Sequence, residues 1–575
     1  MNLLAAVLGF FSLSNLWEPE VPAAAVNHGP FENYQISPPT ADFGEPVHTV
    51  ELLDHVFAAS WGQPYTVPYA APDLEFSHVK FTMEVSSFGV QYDRLAHVFF
   101  NGIELWRPST SEPRGKRSHS SYTKDMSQFR SLLEAPGALS VELDNLVTER
   151  LDGTFHVRLS AQYFAAPEVT SNAWFEHEGV PAAAIVPVLN CSVATDRVSK
   201  PLPRVAGNTT RAILQVFASG NGNDEFWYAE SSQEDELGPI RNLNVEVNGE
   251  LVGVVTPFYQ VYTGGIQPAL WSPFVAPNAY DVPAYHLDFT NLLPRLWESV
   301  SESEPELELS LVVTNGRDAE VHHEWILSAA LLTWESAELE GIGGTVQPTE
   351  EKNTSRVVLL PSIEVAGYQQ TLLSAAELQF RNLSSQELVV HAVEVAQLRE
   401  IEASLVGETI VSHQTNGKSA TSYNARNYSL AYYYDIALVL EENSVTTAIA
   451  MDLYEHDYSA TEELLSRSQS VHYNGSWFLD EHHHHDHHEH KVNGSDVFVK
   501  FRDPHRNGQV TFSQHAISRN GSVVTLDAPP TTGGYKSNLI ESSLPHLAGF
   551  PFVTPSAKEM RERKQIRHKW LHHGI

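Results

Sequence analysis

Residues Phe88 to Pro113 read FGVQYDRLAHVFFNGIELWRPSTSEP, and this stretch decides the fold. Arg94 to Phe100 has apolar residues on both faces, the mark of a strand buried on both sides. Asn101-Gly102 suits the φ > 0 positions of a two-residue hairpin turn. Ile103 and Leu105 start a return strand that ends at Trp106-Arg107-Pro108. Asp93 therefore lies at the mouth of a buried hairpin, beside Arg94. A carboxylate there is either a structural partner of the arginine or a working group, and the hairpin alone leaves both open.

Outward from the hairpin the same grammar repeats. Val47–Val56 alternates partly, and Val79–Ser86, Leu139–Asp144 and Phe155–Tyr163 alternate with period two. Ser127–Leu133 is a short amphipathic piece. After a Pro/Ala/Glu-rich crossover (165–187) come Arg211–Phe217, the hairpin Asn242–Val255 with Asn248-Gly249 as its turn, Leu307–Thr314 and His322–Thr333. Short strands, frequent turns and almost no helical period predict an all-β, antiparallel sandwich or jelly-roll protein. Residues 337–351 are acidic and free of period, which predicts a boundary. The strands beyond, clearest at Leu388–Leu398 and Tyr428–Leu440, read as a support module or one that contacts carbohydrate.

The chain has 575 residues, enough for several domains, and 42% are hydrophobic. Asp and Glu number 71 against 36 Lys and Arg, a formal charge of -35. That balance disfavours nucleic acid and anionic membranes as partners. No run is long enough for a membrane-spanning helix. Residues 1–14, beginning MNLLAAVLGFFSL, are expected to be a signal peptide although they lack Lys and Arg. Acceptor sequons stand at Asn190, Asn208, Asn353, Asn382, Asn427, Asn474, Asn493 and Asn520, which with the leader predicts a secreted or vacuolar, lysosome-like destination. Cys191 is the single cysteine, so no internal disulfide or thiolate cluster can form. The stretch EHHHHDHHEHK (481–491) could bind a transition metal, but without fixed ligand spacing it reads as an exposed loop.

Three acids are candidates for chemistry: Asp93, Asp144 at a strand end before Asn145, and Glu225 in NGNDEFWYAE. An acid run into Phe226-Trp227-Tyr228 is a familiar way to raise a carboxyl pKa and to bind a sugar face. Each also has a plain reading as turn residue, strand-end cap or surface acid. Gly264-Gly265 in YTGGIQPALW lacks the lysine and spacing of a phosphate loop, and reads as a tight turn bringing Trp271 into a cleft. Gly-x-Ser-x-Gly and His-Glu-x-x-His are absent, which weakens serine and zinc hydrolase readings.

At these residues the chain resembles the plant and fungal peptide-N-glycosidase A family, the peptide-N4-(N-acetyl-β-glucosaminyl)asparagine amidases. The resemblance rests on FGVQYDRLAHVFFNGIELWRPSTSEP, KDMSQFRSLL, LDNLVTERLDGTFHV, NDEFWY and PFYQVYTGGIQPALWSPFVAPNAYDVPAYHLDFTNLLP, in order across roughly residues 45 to 335. Bacterial amidase F relatives share the aromatic-Asp-Arg strand start and the Glu-aromatic step. The resemblance implies two adjacent jelly rolls with the active site between them, plus a C-terminal β-rich domain. The expected boundaries are an arm at 15–46, jelly rolls at 47–165 and 180–336, the C-terminal domain at 345–548 and a basic tail at 549–575. The essential aspartate falls on Asp93 and a supporting glutamate on Glu225. A third acid falls on Asp144, where the bacterial proteins carry Glu, and their disulfides cannot form here.

The implied reaction hydrolyses the amide joining the innermost N-acetylglucosamine to asparagine, on N-glycosylated peptides or denatured glycoproteins, with no cofactor or metal. In it Asp93 activates or orients water, Glu225 binds sugar or donates a proton, and Arg94 orients Asp93 or polarises the carbonyl. Trp227, Tyr262, Gly264, Gly265 and Trp271 would line the sugar cleft. The alternatives are an inactive glycan-binding protein on the same scaffold and a glycoside hydrolase, which also uses two carboxylates.

Overall fold

The structure is a computed structural model. It describes residues 31–536 apart from 114–116, 167–173, 176, 178–179, 195–196, 234–235, 267, 299–305, 408–409, 424–425, 442–443, 459–462, 479–489, 504–509, 520–521 and 528–534. The expected leader, the basic tail, most of the histidine-rich loop and Asn520 lie outside the described residues.

The hairpin forms as its sequence demands. Ala96–Phe100 pairs with Ile103–Trp106, and Asn101 and Gly102 take φ of 49° and 83°. Every residue of both strands is buried. They belong to a four-stranded sheet ordered Tyr65–Tyr69, Gly137–Leu143, Ala96–Phe100, Ile103–Trp106. A second sheet runs Phe31–Asn33, Ser118–Asp125, His78–Phe88, Thr154–Phe164, His48–Phe57. Alternate positions point inward: Phe81, Met83 and Val85 from one sheet share a core with Val98, Phe100, Leu139 and Val141 from the other.

A second sandwich repeats the plan. One sheet runs Ala184–Ala194, Trp325–Glu335, Thr209–Gly220, Tyr285–Asp288, and the other Arg197–Leu202, Leu307–Asn315, Arg241–Val247, Glu250–Val255. Within each sandwich, counting its eight principal strands in chain order, one sheet is first-eighth-third-sixth and the other second-seventh-fourth-fifth. That winding is two interleaved Greek keys.

The two sandwiches share a seam. Ala330, Leu332 and Trp334 of the second enter the core of the first. Trp106 Nε1 donates to Tyr280 O at 2.9 Å. Arg107 pairs in two-pronged fashion with Glu104 at 2.8 and 2.8 Å and donates across to Ser219 Oγ and Ile326 O, both at 2.9 Å. Burial alone would raise the Glu104 carboxyl; the charges and hydrogen bonds of Arg107 and His97 overcome it and hold the group ionised. Removing one partner would strand a buried charge, so the pair fixes how the sandwiches meet.

The arm at 15–46 lacks period, yet its described part is docked: Phe31–Asn33 pairs with Ser118–Ser120, and Gln35 Oε1 accepts from Tyr280 N at 2.6 Å. The second sandwich's last strand is Trp325–Glu335, and within 337–351 the chain is already strand: Leu339–Val346 and Glu350–Leu360 belong to an eleven-stranded C-terminal sheet. Glycines hid the pattern. A Cβ on Gly341 would come within 2.5 Å of the Trp297 ring, and one on Gly344 would overlap the Glu377 carbonyl oxygen.

The large sheet is an antiparallel meander of long strands such as Ile363–Asn382 and Leu388–Val406. Its buried face packs on the second sandwich. Arg399 donates to Asn244 Oδ1 at 2.7 Å and Val255 O at 3.1 Å, and Tyr434 OH donates to Tyr259 O at 2.6 Å.

Candidate active site

Asp93 follows the strand His78–Phe88 of the first sandwich through a short loop, and Glu225 follows Thr209–Gly220 of the second through a tight turn. The seam brings them to one place. The Gly264 N–H donates to Asp93 Oδ2 at 2.9 Å, and Phe226, next to Glu225, lies against Gly265. Glu225 is the informative group. Burial first, then the negative charge of Asp93, pushes its carboxyl up to about 8. It keeps some surface to solvent but looks into a cavity of about 10 Å³ lined with Ser219, Gln260, Tyr262 and Trp227. That volume suits about one water. Gln260 Oε1 is buried there with no hydrogen-bond partner among the described residues.

The turn carrying Glu225 is anchored one residue earlier. Asp224 is fully buried and accepts Arg241 Nε at 2.9 Å, Arg241 Nη2 at 2.6 Å, Trp325 Nε1 at 2.6 Å and His323 Nδ1 at 3.3 Å. Burial would raise it, but the hydrogen bonds from His323 and Arg241 hold it down at about 2. Adjacent acids thus have opposite fates: one ionised and fixed, the other protonated and facing the cavity.

Arg94 is held rather than free. Nη2 donates to Gln91 Oε1 at 2.7 Å, Nε to Asn145 Oδ1 at 3.3 Å, and its backbone N to Thr110 Oγ1 at 2.9 Å. Burial lowers its pKa, opposed by the charges of Asp93, Tyr92 and Asp144. Arg94 is therefore in electrostatic range of Asp93 and Asp144 alike. The Asp144 carboxylate itself accepts the Gly62 N–H at 2.8 Å, so it holds a neighbouring turn rather than joining Glu225.

Trp227 and Trp271, expected to line a sugar cleft, are only 2% and 1% exposed. Trp227 walls the cavity, and Trp271 Nε1 donates to Gly265 O at 2.7 Å, bracing the glycine turn from the core. Tyr262 is buried too. These rings support the site; they offer no open face to a sugar. The aromatics with some exposed surface beside the acids are Tyr92 and Phe226.

Sequence reasoning missed Glu112. A Cβ on Gly264 would overlap Asp93 Oδ1 and come within 2.5 Å of Glu112 Oε2, so two carboxylates crowd one glycine. Thr263 Oγ1 accepts the Glu112 N–H at 2.9 Å and donates to Thr110 O at 2.9 Å. An acid four residues past the hairpin's proline was the available signal. Asp224 was also passed over, though it adjoins Glu225.

Among the described residues, two groups have metal-like donor spacing, His97/Glu104/Cys191 and Asp224/Glu230/His323. In both an arginine already occupies the carboxylates, Arg107 on Glu104 and Arg241 on Asp224 and Glu230. A cation would have to displace a buried guanidinium, so neither fits a metal. Burial pushes the Cys191 thiol up to about 12, in line with an inert side chain. Of the sequon asparagines, Asn190, Asn353 and Asn474 are exposed, Asn208 is half-buried, and Asn382 is buried with Oδ1 accepting Ser384 N at 2.9 Å. The side chains of Asn427 and Asn493 are outside what the structure describes.

Fold and site together define a class: a two-sandwich β-protein with acids of both sandwiches at the seam, one of which, Glu225, has its carboxyl pushed up by burial and by the charge of Asp93. The sequence profile described as peptide N-acetyl-beta-D-glucosaminyl asparaginase amidase A matches residues 36–352, and the chain belongs to that family. It is 30% identical over 325 residues to the peptide-N4-(N-acetyl-beta-glucosaminyl)asparagine amidase A of Prunus dulcis, a match covering 50% of this chain and 55% of that protein. The chain thus spans about half the length of that relative. Among solved structures, PNGase F of Flavobacterium meningosepticum is 14% identical with a TM-score of 0.30, over 50% of this chain and 96% of that one. PNGF-II is 12% identical with a TM-score of 0.33, over 50% and 65%.

Proposed function

We propose that this protein releases N-linked glycans by hydrolysing the amide between the innermost N-acetylglucosamine and asparagine. The observation that carries this is the pairing of Asp93 with a Glu225 whose carboxyl is protonated below about 8. Family membership supports the reaction class.

The raised carboxyl of Glu225 makes it the proton donor and leaves Asp93 the part of the base. Asp93, held by the Gly264 N–H, takes a proton from water as that water attacks the amide carbon. The tetrahedral oxyanion needs donors, and Arg94 is the nearby cation. Glu225 gives its proton to the departing nitrogen as the C–N bond breaks. The products are an aspartate-containing peptide and a glycosylamine. Exposed sequons at Asn190, Asn353 and Asn474 favour a secretory route for the protein itself.

The test is a glycopeptide incubated at mildly acidic pH and then weighed. A gain of about one mass unit at the former glycosylation site, Asn becoming Asp, is the expected result. A single N-acetylglucosamine left on the peptide would instead mark a glycosidase. Unchanged peptide with retained glycan binding would mark an inactive binding protein.

A further inference from the structure

We propose that Glu112 is a positioning residue for Asp93: the two carboxyl groups form a pair that carries one negative charge, with the proton on Glu112 and the charge on Asp93. The proposal rests on the amidase reading above and adds to it the group that keeps the base ionised at mildly acidic pH.

The backbone builds the pair. Asp93 precedes the hairpin and Glu112 follows it, where Leu95 and Ser109 form an isolated bridge. Beside that bridge Arg94 N donates to Thr110 Oγ1 and Thr110 N donates to Arg94 O, both at 2.9 Å. Thr263 Oγ1 accepts the Glu112 N–H and donates to Thr110 O, both at 2.9 Å. The next residue, Gly264, donates its N–H to Asp93 Oδ2 at 2.9 Å. The two ends of the hairpin and the glycine loop thus close a ring of hydrogen bonds that fixes one acid against the other. The place of a Gly264 Cβ lies within 2.5 Å of both Asp93 Oδ1 and Glu112 Oε2. Two oxygens so near one point are at most about 5 Å apart, well within the range at which like charges oppose each other. Gly264 has no positive φ to account for its glycine; the missing side chain makes room for the two carboxyls.

Two half-buried carboxyls at that range lose their protons in separate steps, because the first charge opposes the second. Asp93 ionises first. Aspartate is the stronger acid of the two, and the Gly264 N–H favours its charged form. Among the described residues, the surroundings favour a single charge. Arg94 faces Asp93, but it faces Asp144 as well. Tyr92 lies in electrostatic range of Glu112 and Arg94, and Glu225, Tyr262 and Tyr280 lie in range of Asp93. A second negative charge at Glu112 would enter a neighbourhood rich in acids and phenols. Kept neutral, Glu112 instead presents an O–H donor beside Asp93, as the protonated member of an acid pair does. That donor steadies the charged aspartate that accepts water's proton.

The test compares Glu112→Gln, which keeps a neutral donor, with Glu112→Met, which has similar length and none. The readout is kcat/KM of the full-length protein on a glycopeptide between pH 3 and pH 8, with the melting temperature as the check on folding. In Glu112→Gln the acid limb, where Asp93 takes up its proton, stays in place, and kcat is within about threefold of wild type. In Glu112→Met the limb moves up by about one pH unit, because the charged aspartate has lost a donor. A limb that moves down in either variant overturns the proposal, since that is what removing an ionised neighbour does. A limb unmoved in Glu112→Met overturns it too and leaves Glu112 a structural residue. Stability supplies a readout without turnover. A proton held on folded Glu112 is one that the unfolded chain releases above about pH 4. Wild-type stability therefore falls more between pH 5 and pH 8 than that of Glu112→Gln. If that difference appears in a protein that cleaves no glycopeptide, the amidase reading fails and the pair stands. If it is absent while turnover is normal, the pair fails and the amidase reading stands.

Discussion

Glu225→Gln tests the site through stability as well as rate. The buried carboxyl is pushed up to about 8, against 4.5 when solvated. Between those two pH values the folded chain keeps the proton that the unfolded chain releases. The folded state therefore binds more protons, and stability falls as pH rises across the window. The group's favourable contribution is complete below 4.5, declines through the window and is gone above about 8. At about 1.36 kcal/mol per pH unit, the full effect is roughly 3–5 kcal/mol. A glutamine cannot ionise, so the variant lacks this slope. The assay is thermal or urea denaturation of both proteins at pH 5 and pH 9, taking the difference of the two pH effects so that all other titrating groups cancel. The wild type should lose several degrees more than the variant on going to pH 9. In parallel, wild-type kcat/KM should fall above about pH 8, and the variant's turnover should drop about 10²–10⁴-fold for want of the proton donor. An identical pH effect on stability in both proteins would refute the argument, because Glu225 would then titrate as an ordinary surface acid.

Three further outcomes are expected. Asp93→Asn keeps the fold and the Gly264 contact through its amide oxygen but cannot accept water's proton, so turnover on a glycopeptide drops about 10²–10⁴-fold with an unchanged melting temperature. Gly264→Ala places a methyl group against Asp93 and Glu112; activity should fall about 10–100-fold while the melting temperature moves little, since the obstacles are carboxylate ends rather than backbone. Asp224→Asn leaves Arg241 buried with only Glu230 as counter-charge, which should cost about 3–5 kcal/mol in denaturation and lower kcat by loosening the Glu225 turn.

The sheets were legible because strand periodicity is local. Asn101-Gly102 and Asn248-Gly249 take positive φ and turn the hairpins their sequences announce. Asp93 and Glu225 were legible as candidates only through their aromatic and arginine neighbours and the family resemblance. Their meeting was not legible, because it depends on the seam between sandwiches, and the Glu104–Arg107 pair that sets the seam looks in sequence like two ordinary strand-end charges. The aromatic residues misled for a related reason. Trp227 and Trp271 sit beside the acid and the glycine turn, as a sugar-binding ring would, and sequence carries no sign of which way a ring faces.

The C-terminal sheet, which read as support, has a definable task at the site. The loop carrying Gly264 runs from the end of Glu250–Val255 to Tyr285 with few strand bonds of its own. A loop of that length would blur the position of the Gly264 N–H, and with it Asp93. The sheet pins both of its shoulders. Tyr434 OH donates to Tyr259 O at 2.6 Å on one side, and Tyr473 OH donates to Val275 O at 2.8 Å on the other while its ring meets Trp271 edge-on at 4.6 Å. Trp271 in turn holds Gly265. Placement of a catalytic carboxylate must be good to about half an ångström for full effect. In the proposed reaction, the tyrosines of a module with no acid of its own at the site among the described residues would help to set the rate.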